Sequence, residues 1–342
     1  MTAPRVLVAP DSFKGTMSAA TVATAICDGV RDAGRDPVSC AVADGGEGTI
    51  EVIRSALGGQ LVTVPASSPL GQLMDANFLL LPDRQTAVVE TATASGLTLL
   101  DSPGPHDACQ SSSAGTGDLI AAAVDVGATR ILLGVCGSAC TDGGAGAIAA
   151  ITERCGLRGR HLVVLCDVRT AFEESATVYR HQKGADEATV TRLTTRLNRL
   201  AETFQGDPRG RAATGAAGGL SGGLWAAFGA TLIPAIDEIL DRLVFDRLLG
   251  GVDAVITGEG RLDSQSLHGK VIDGVTRRAA SAGVPAWAIV VNRVPPRTTR
   301  HPEAVRSDGG LQPRRGPSSR QRHHLQTPRR TRRHRTRSAQ SL

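Results

Sequence analysis

The segment VLVAPDSFKGT, residues Val6–Thr16, joins an apolar run to a turn that holds an aspartate, a serine, and a lysine beside a glycine. "RVLVA" predicts a buried strand. "SAATVATAICDGVRDAG" predicts the helix that follows it, because Val22, Ile26 and Val30 recur at four-residue spacing. A strand, a Gly-containing turn and a helix in this order indicate a parallel α/β sheet. Charged and hydroxyl groups at the end of a core strand suggest that the turn binds something.

The same pattern recurs near both ends of the chain. "PVSCAVA" predicts a second strand, and "DGGEGT" leads from it into another helix. From Asp253 a strand "DAVIT", a loop "GEGRLDSQSLHG", a helix and a strand "AWAIVV" follow one another. Between them, "QLVTVPAS" and "ANFLLLPDRQTAVVETA" predict strands, the latter two joined by a tight hairpin at "PDRQ". We therefore predict an open α/β sheet formed by residues 1–62 and 250–292, interrupted by an α/β domain inserted at 63–249.

The composition favours a cytoplasmic protein. Aromatic residues make up only 3% of the 342 residues, and the seven cysteines are scattered through apolar segments, as expected for reduced core thiols. "CGSAC" has no histidine or second cysteine pair at metal spacing, so we predict no zinc site. We find no signal peptide and no apolar run long enough for a membrane span, and we expect no membrane partner.

The C-terminal segment has a different character from the rest of the chain. Residues 293–342 carry 14 Arg against Glu303 and Asp308, a net +12, whereas the first 292 residues carry −7. With no aromatic residue and few apolar ones, the segment is predicted to be disordered. It can be interpreted as a nucleic-acid-binding arm, as the product of a shifted reading frame, or as a solvated tail. The absence of interleaved aromatics argues against specific nucleic-acid binding, and we do not expect that partner.

Five loops share one design, in which Gly and charged or hydroxyl residues stand between a strand and a helix. They are "APDSFKGT", "ADGGEGT", "SSSAGTGD", "GSACTDGGAGA" and "TGEGRLDSQSLHGK". Ligands of open α/β sheets bind outside the carboxyl ends of the strands, where helix N-termini and glycine amides attract anions. The acids in or beside such loops are Asp11, Asp44, Glu47, Asp142, Asp167, Glu259 and Asp263, and the lysines are Lys14, Lys183 and Lys270.

Carboxylates and lysines in such loops suit phosphoryl transfer, which needs cations for phosphate oxygens, carboxylates for Mg²⁺ and a base for the accepting hydroxyl. The chain has no P-loop, no protein-kinase glycine loop and no dinucleotide fingerprint with a suitable acid. The residues by themselves therefore indicate small-molecule phosphate or carboxylate chemistry on an α/β scaffold.

Seven motifs in order over about residues 5–291 resemble those of the bacterial-type glycerate kinase family, the glycerate 2-kinases. They are "APDSFKGTMSAATVATAICDG", "ADGGEGT", "SAGTGDLI", "GSACTDGGAGA", "HQKGA", "TGAAGGLSGGLWAAFGA" and "DAVITGEGRLDSQSLHGK". The resemblance implies ATP- and Mg²⁺-dependent phosphorylation of D-glycerate to 2-phosphoglycerate. It also implies a flavodoxin-like parallel sheet domain formed from both chain ends, a second α/β domain inserted into it, and an active site in the cleft between them.

The sequence departs from the family pattern in two places. "CDVRTAFEES" and Thr141 differ from the usual residues, and after "GVPAWAIV" the Arg-rich tail replaces further strands and helices of the first domain. The second departure predicts an exposed apolar edge on the first sheet and low stability. Two other functions stay open: a kinase of another small hydroxy acid, and a disabled kinase homologue.

We predict the following roles on these motifs. The catalytic candidates are Asp44, Lys14 and Asp142, and the glycerate-binding candidates are Asp11, Ser12, Lys14 and Glu47. The ATP-binding candidates are Ser138, Gly143, Gly144, Lys183, Lys270 and Gly258, and the Mg²⁺ candidates are Asp263, Glu259 and Asp44. For four of them a structural role is the alternative: an ion pair of Lys14 with Asp11, a helix N-cap at Asp44 and at Asp142, and a solvated loop at Lys183.

Overall fold

The computed structural model of the chain describes residues 3–154, 156–262 and 271–293. The strands are β1 (Arg5–Pro10), β2 (Asp36–Ser39), β3 (Gln60–Ser67), β4 (Leu73–Leu80), β5 (Thr86–Glu90), β6 (Arg130–Gly134), β7 (His161–Leu165), β8 (Thr231–Ile233), β9 (Ala254–Leu262) and β10 (Ala286–Arg293). The α-helices are α1 (Ala19–Asp32), α2 (Thr49–Leu57), α3 (Ala92–Ser95), α4 (Pro105–Gln110), α5 (Ala114–Asp125), α6 (Ala145–Glu153), α7 (Ser175–Val178), α8 (Glu187–Ala201), α9 (Leu220–Phe228), α10 (Ala235–Arg242), α11 (Phe245–Leu249) and α12 (Val271–Ser281).

One sheet is built from both ends of the chain. Its four strands run parallel in the order β2-β1-β9-β10, and Leu7 of β1 pairs with Val38 on one side and with Val255 on the other. This is the order of the first four strands of the flavodoxin-like arrangement. The predicted fold, a parallel sheet formed by the two chain ends around an inserted α/β region, is therefore confirmed.

The second sheet has six strands in sequence order, β3 to β8. The β3–β4 and β4–β5 pairs are antiparallel, and β5 to β8 are parallel. The hairpin between β4 and β5 lies at "PDRQ", where the sequence predicts it. Strand β3 begins at Gln60, so the six-stranded sheet includes residues ahead of the predicted boundary at 62/63, and the proposed domain limits remain a prediction.

A shared core joins the two sheets. Leu7 of β1 belongs to the same buried cluster as Leu132 of β6, together with Ile53 of α2 and Ile239 of α10. On the other face of the four-stranded sheet, α1 packs on β1 through a separate cluster that includes Val30. Because helices cover both faces near β1, its carboxyl end is held rigidly where the ligand-binding loops begin.

Two further features concern the surface. Trp287, Ile289 and Val291 of the edge strand β10 are 57%, 43% and 67% exposed, and they form an apolar row. None of the helices within the described ranges is both long and apolar enough to cross a membrane. The predicted tail, apart from the backbone of Arg293 in β10, lies outside the described residues.

Candidate active site

A cleft of about 360 Å³ lies at the carboxyl end of β1, beside the N-terminus of α1. Among the described residues its wall consists of Asp11, Ser12, Lys14 to Ala19, Val42, Ala43, Glu47, Gly48, Glu51, Val52, Cys136 and Gly137. Four predicted substrate-binding residues, Asp11, Ser12, Lys14 and Glu47, therefore come together here. Lys14 is the one cation in this described wall, and Glu47 is exposed.

Lys14 forms an ion pair with Asp44 at the edge of this cleft. The Nζ atom of Lys14 lies 2.5 Å from Oδ2 of Asp44, and Oδ1 of Asp44 accepts the N–H of Gly46 at 3.1 Å. Lys14 is thus paired with Asp44, whereas the alternative structural role was an ion pair with Asp11. Partial desolvation lowers the pKa of Lys14, whose side chain is more than half exposed, but the carboxylate of Asp44 raises it, and the net shift is upward. The side chain of Lys14 therefore stays protonated in the folded protein.

Asp11 lies next to this ion pair and is only 5% exposed. Its carboxylate accepts the N–H of Ser12 at 2.6 Å, and its own N–H donates to the carbonyl of Gly258 at 2.9 Å. Burial raises the pKa of Asp11 to about 7, and the negative charge of Asp44 adds to the rise. Glu259, a buried residue of β9, acts in the same direction. The carboxyl groups of Asp11, Asp44 and Glu259 therefore lie in one region in which Lys14 is the one ammonium among the described residues. This excess of carboxyl groups favours the binding of a cation.

The loop 44–48 packs against residues that follow strands β6 and β8 of the six-stranded sheet. A Cβ atom at Gly45 would lie 2.6 Å from the Cβ of Ala235, and one at Gly46 would lie 2.9 Å from the Cβ of Cys136. Gly45 also has a φ of +76°. Glycine is favoured at both positions because the Cβ atoms of Ala235 and Cys136 leave no room for a further side chain. The loop that carries Asp44 belongs by sequence to the first sheet, but the second sheet fixes its position.

Two carboxylates at the ends of strands in the six-stranded sheet, the buried Glu90 and the half-buried Asp167, accept N–H groups at helix N-termini. Glu90, at the end of β5, accepts the N–H of Ile50 in α2 at 2.5 Å, and Asp167, just after β7, accepts that of Ala235 in α10 at 2.7 Å. Burial raises the pKa of each to about 7. The role of Glu90 was not predicted from the sequence. Its partner lies 40 residues away, so no local pattern marks it.

Asp142 is surrounded by hydrogen-bond donors of the protein itself. Its Oδ2 accepts the N–H and the hydroxyl of Ser113, both at 2.8 Å, and the N–H of Gly146 at 3.2 Å. Its Oδ1 accepts the N–H of Gly144 at 3.1 Å. These contacts join the first turns of α5 and α6. The N–H of Gly143 donates to the carbonyl of Gly218 at 3.0 Å, so both glycine amides that we predicted for ATP are engaged within the protein.

Two cations hold the backbone of the loop 138–144. The buried ammonium of Lys183 donates to the carbonyl of Cys140, and Arg196 of α8 donates to the carbonyl of Thr141 at 2.5 Å. Burial lowers the pKa of Lys183 to about 8. Lys183 is therefore a buried residue that fixes this loop rather than part of a solvated segment. The hydroxyl of Ser138 accepts the N–H of Cys140 at 3.0 Å within the same loop.

The predicted residues thus fall into two groups. The first group lines or adjoins the cleft and consists of Asp11, Ser12, Lys14, Asp44 and Glu47, with Gly258 and Glu259 beside Asp11. Ser138, Asp142, Gly143, Gly144 and Lys183 form the second group, in and around the loop that follows Gly137 of the cleft wall. Asp263 and Lys270 lie outside the described residues.

The described residues offer oxygen donors for a metal ion but no complete protein cage. Within the ranges that the structure describes, no group of three or more His, Cys, Asp or Glu side chains is arranged to hold a metal. Mg²⁺ commonly takes only one or two carboxylates and completes its shell with water and phosphate oxygens. Asp44 and Glu259, which both act electrostatically on Asp11, supply two carboxylates in this region.

Comparisons with known proteins agree with this arrangement. The model of the "Glycerate kinase family" matches residues 6–155 and 152–300. The chain belongs to the glycerate kinase family. A glycerate kinase of Halalkalibacterium halodurans is 36% identical over 321 residues, covering 83% of this chain and 84% of that protein. The glycerate 2-kinase of Escherichia coli K12 is 35% identical over 322 residues with the same coverage.

A solved structure supports the same family assignment for this kinase. A crystal structure from Salmonella typhimurium LT2, assigned there to glycerate kinase 2, superposes with a TM-score of 0.73 at 35% identity. The match covers 84% of this chain and 87% of that one. The fold and the enzyme class predicted from the sequence are therefore confirmed, whereas the individual residue roles remain predictions.

Proposed function

We propose that this kinase transfers the γ-phosphoryl group of ATP to the 2-hydroxyl of D-glycerate, giving 2-phosphoglycerate. The separation of 2.5 Å between the ammonium of Lys14 and the carboxylate of Asp44, at the edge of a small cleft, carries the proposal. In D-glycerate the carboxylate and the 2-hydroxyl stand on adjacent carbon atoms. A cation beside a carboxylate suits such a pair of neighbouring groups, one anionic and one a proton donor.

Glycerate would bind with its carboxylate toward Lys14 and the N-terminus of α1. Residues 16–19 of the cleft wall lead into this helix, whose positive end favours an anion. The N-terminus of α2 is less suitable because Glu90 already occupies it. Ser12 would donate a hydrogen bond to the substrate, and Glu47 would accept one from the 3-hydroxyl.

Asp44 would act as the general base. As the 2-hydroxyl oxygen attacks the γ-phosphorus, its proton passes to Oδ2 of Asp44, the bond from the γ-phosphorus to the β,γ-bridging oxygen breaks, and ADP leaves. Lys14 holds the carboxylate of Asp44 in place before the reaction and is released from it to meet the substrate carboxylate. For Asp142, whose oxygens accept four hydrogen bonds from the protein, we propose a positioning role between α5 and α6.

Mg²⁺ and ATP would bind between the two groups of residues. Glu259 would hold the metal from the described part of the chain, and bound Mg²⁺ would neutralise charge on the β- and γ-phosphates. The loop 138–144 would face the nucleotide, with Lys183 and Arg196 holding its carbonyls away from the phosphates. We place the enzyme in the cytoplasm, because the six described cysteines are free thiols.

The test is the release of ADP from MgATP by the purified chain, measured with and without D-glycerate. We expect glycerate-dependent turnover, much reduced in Asp44→Asn and Lys14→Met. Asp28→Asn is the control, because this carboxylate is exposed on α1 and pairs with Arg31 away from the cleft. Lactate and glycolate as acceptors test the alternative of another small hydroxy acid. A folded chain without glycerate-dependent turnover would overturn the proposal.

A further inference from the structure

Glu90 is a buried carboxylate that does not contact the cleft. It ends β5 in the six-stranded sheet and is 5% exposed. Its Oε1 accepts the N–H of Ile50 at 2.5 Å, and the N–H groups of Gly48 and Thr49 also stabilise its charge. A carboxylate at this position satisfies N–H groups that α2 cannot satisfy internally. Glu90 thereby holds the first turn of α2 in place.

The segment that Glu90 anchors is the loop with the proposed base. Asp44 and Glu47 lie within the five residues before α2, and Gly48 is the N-cap of that helix in a left-handed conformation. The rest of the loop has little freedom. A Cβ atom at Gly134 of β6 would lie 2.3 Å from the carbonyl oxygen of Gly45. Glu90 fixes one end of the loop, and the close backbone contacts fix its middle.

We propose that Glu90 is a positioning residue for phosphoryl transfer, which sets the place of Asp44 and Glu47 at the cleft by anchoring the N-terminus of α2. The inference rests on the proposed function, because it assigns Asp44 its place in that reaction. It also gives the six-stranded sheet a part in positioning the catalytic base. The proposed base, Asp44, lies in a loop that follows β2 of the four-stranded sheet, and Glu90 of the six-stranded sheet fixes the position of that loop.

The physical consequence concerns the rate more than substrate binding. Without an acceptor at residue 90, the amides of Gly48 to Ile50 lose their buried partner, and the loop can shift relative to the substrate hydroxyl. A displacement of about 1 Å is enough to lower a reaction rate on the order of 10²-fold. Of the proposed substrate contacts, the carboxylate site at Lys14 and the N-terminus of α1 does not depend on Glu90, and only the hydrogen bond of Glu47 to the 3-hydroxyl does. The KM for D-glycerate should therefore change much less than kcat.

The test compares Glu90→Met, which removes the acceptor at nearly constant volume, with Glu90→Gln, whose amide oxygen can still accept the N–H of Ile50. We expect Glu90→Met to lower kcat on the order of 10²-fold with KM for D-glycerate within about threefold. Glu90→Gln should restore most of the rate. Asp118 offers a matched control, since this carboxylate of α5 accepts the N–H and hydroxyl of Ser67 and lies outside the cleft wall. Asp118→Leu and Asp118→Asn should leave kcat unchanged.

Two results would overturn the inference while leaving the proposed function intact. One is a wild-type rate in Glu90→Met, and the other is an equal loss in Glu90→Met and Asp118→Leu, which would indicate general destabilisation. Amide hydrogen exchange of residues 44–53 gives a readout that does not need turnover. Faster exchange there in Glu90→Met, but not in Glu90→Gln, supports the anchoring even if the wild-type chain shows no glycerate kinase activity. Unchanged exchange in Glu90→Met contradicts it.

Discussion

The ammonium of Lys14 lies 2.5 Å from Oδ2 of Asp44, although the two residues follow different strands and are 30 positions apart in the chain. Lys14 is 58% exposed in its side chain, whereas that of Asp44 is only 8% exposed. The cation can therefore turn toward a ligand while the carboxylate stays fixed. This asymmetry suits an anion-binding lysine next to a stationary base.

The first prediction concerns Asp44. Replacing it with Asn keeps the size of the side chain and its acceptor for the N–H of Gly46 but removes the base. We expect kcat to fall by about 10²- to 10⁴-fold, with a KM for D-glycerate within a few-fold of the wild type. Steady-state ADP release checks this, beside the Asp28→Asn control. Retention of more than about a third of the wild-type kcat would rule Asp44 out as the base.

A second prediction concerns the stability of the loop 44–48. It separates two effects of a side chain at Gly45 on the free energy of unfolding, close contact and backbone strain. Gly45 and Gly34 have similar φ values, +76° and +71°, but a Cβ atom meets Ala235 at Gly45 and open space at Gly34. Gly34→Ala should lower the free energy of unfolding by about 1–2 kcal/mol through strain alone. Gly45→Ala should cost about 1–3 kcal/mol more through overpacking, and it should also lower kcat.

Urea unfolding of both variants gives the two free energies. Equal losses of stability would mean that the loop can move away from the second sheet, contrary to the contacts of Gly45. The activity of Gly34→Ala is the internal control, because this glycine follows the far end of α1. A loss of kcat confined to Gly45→Ala would link the loop position to catalysis.

The third prediction is a pH dependence of stability that comes from Glu90. Burial raises its pKa from the ordinary 4.5 to about 7, so the folded protein binds more protons than the unfolded chain between these pH values. The contribution of Glu90 is therefore most favourable below about pH 4.5 and is lost as the pH rises through about 7. The loss amounts to as much as about 3 kcal/mol.

Free energies of unfolding at about pH 5 and pH 8 for the wild type and Glu90→Gln measure this contribution. The difference between the two proteins should move in favour of Glu90→Gln as the pH rises, because glutamine does not titrate. Parallel pH profiles would show that Glu90 has an ordinary pKa in the fold.

The fourth prediction concerns the exposed face of β10. Trp287, Ile289 and Val291 make an apolar row on an edge strand, a surface prone to self-association. Trp287→Lys should reduce light scattering and the apparent mass of the concentrated protein without a change in kcat. Val126→Lys, at an exposed valine just after α5, is the control and should have no effect. Identical behaviour of the wild type and both variants would show that this row does not mediate association.

The sequence predicted most of the architecture because the relevant signals are local. Strand β1, helix α1 and the glycine turns between strands and helices are encoded within short windows, and the hairpin after β4 carries its own turn residues. The chain-end sheet also followed from pattern, since the same strand–loop–helix design appears at both ends. Helix α10 was not predicted, although Ile236, Ile239 and Leu240 are fully buried in the shared core.

The contacts of the site depend on distant residues and so escaped prediction. The pairing of Lys14 with Asp44 instead of Asp11 depends on how the loops after β1 and β2 approach each other, and the capping of α2 by Glu90 arises only when the two sheets meet. The burial of Lys183 is a further case, because "HQKGA" alone gives no sign that the ammonium will bind a carbonyl 43 residues earlier. The sequence motifs therefore identify candidate residues, whereas tertiary packing determines the contacts of each one.

The regiochemistry of the product tests the central claim most directly. Phosphorus NMR of the product from D-glycerate and MgATP distinguishes the two sites, because a phosphate on C2 couples to one proton and a phosphate on C3 couples to two. The adjacent Lys14 and Asp44 predict the doublet of 2-phosphoglycerate. A triplet from 3-phosphoglycerate would show that the base lies one carbon farther from the carboxylate-binding cation, and would contradict the assignment of this pair.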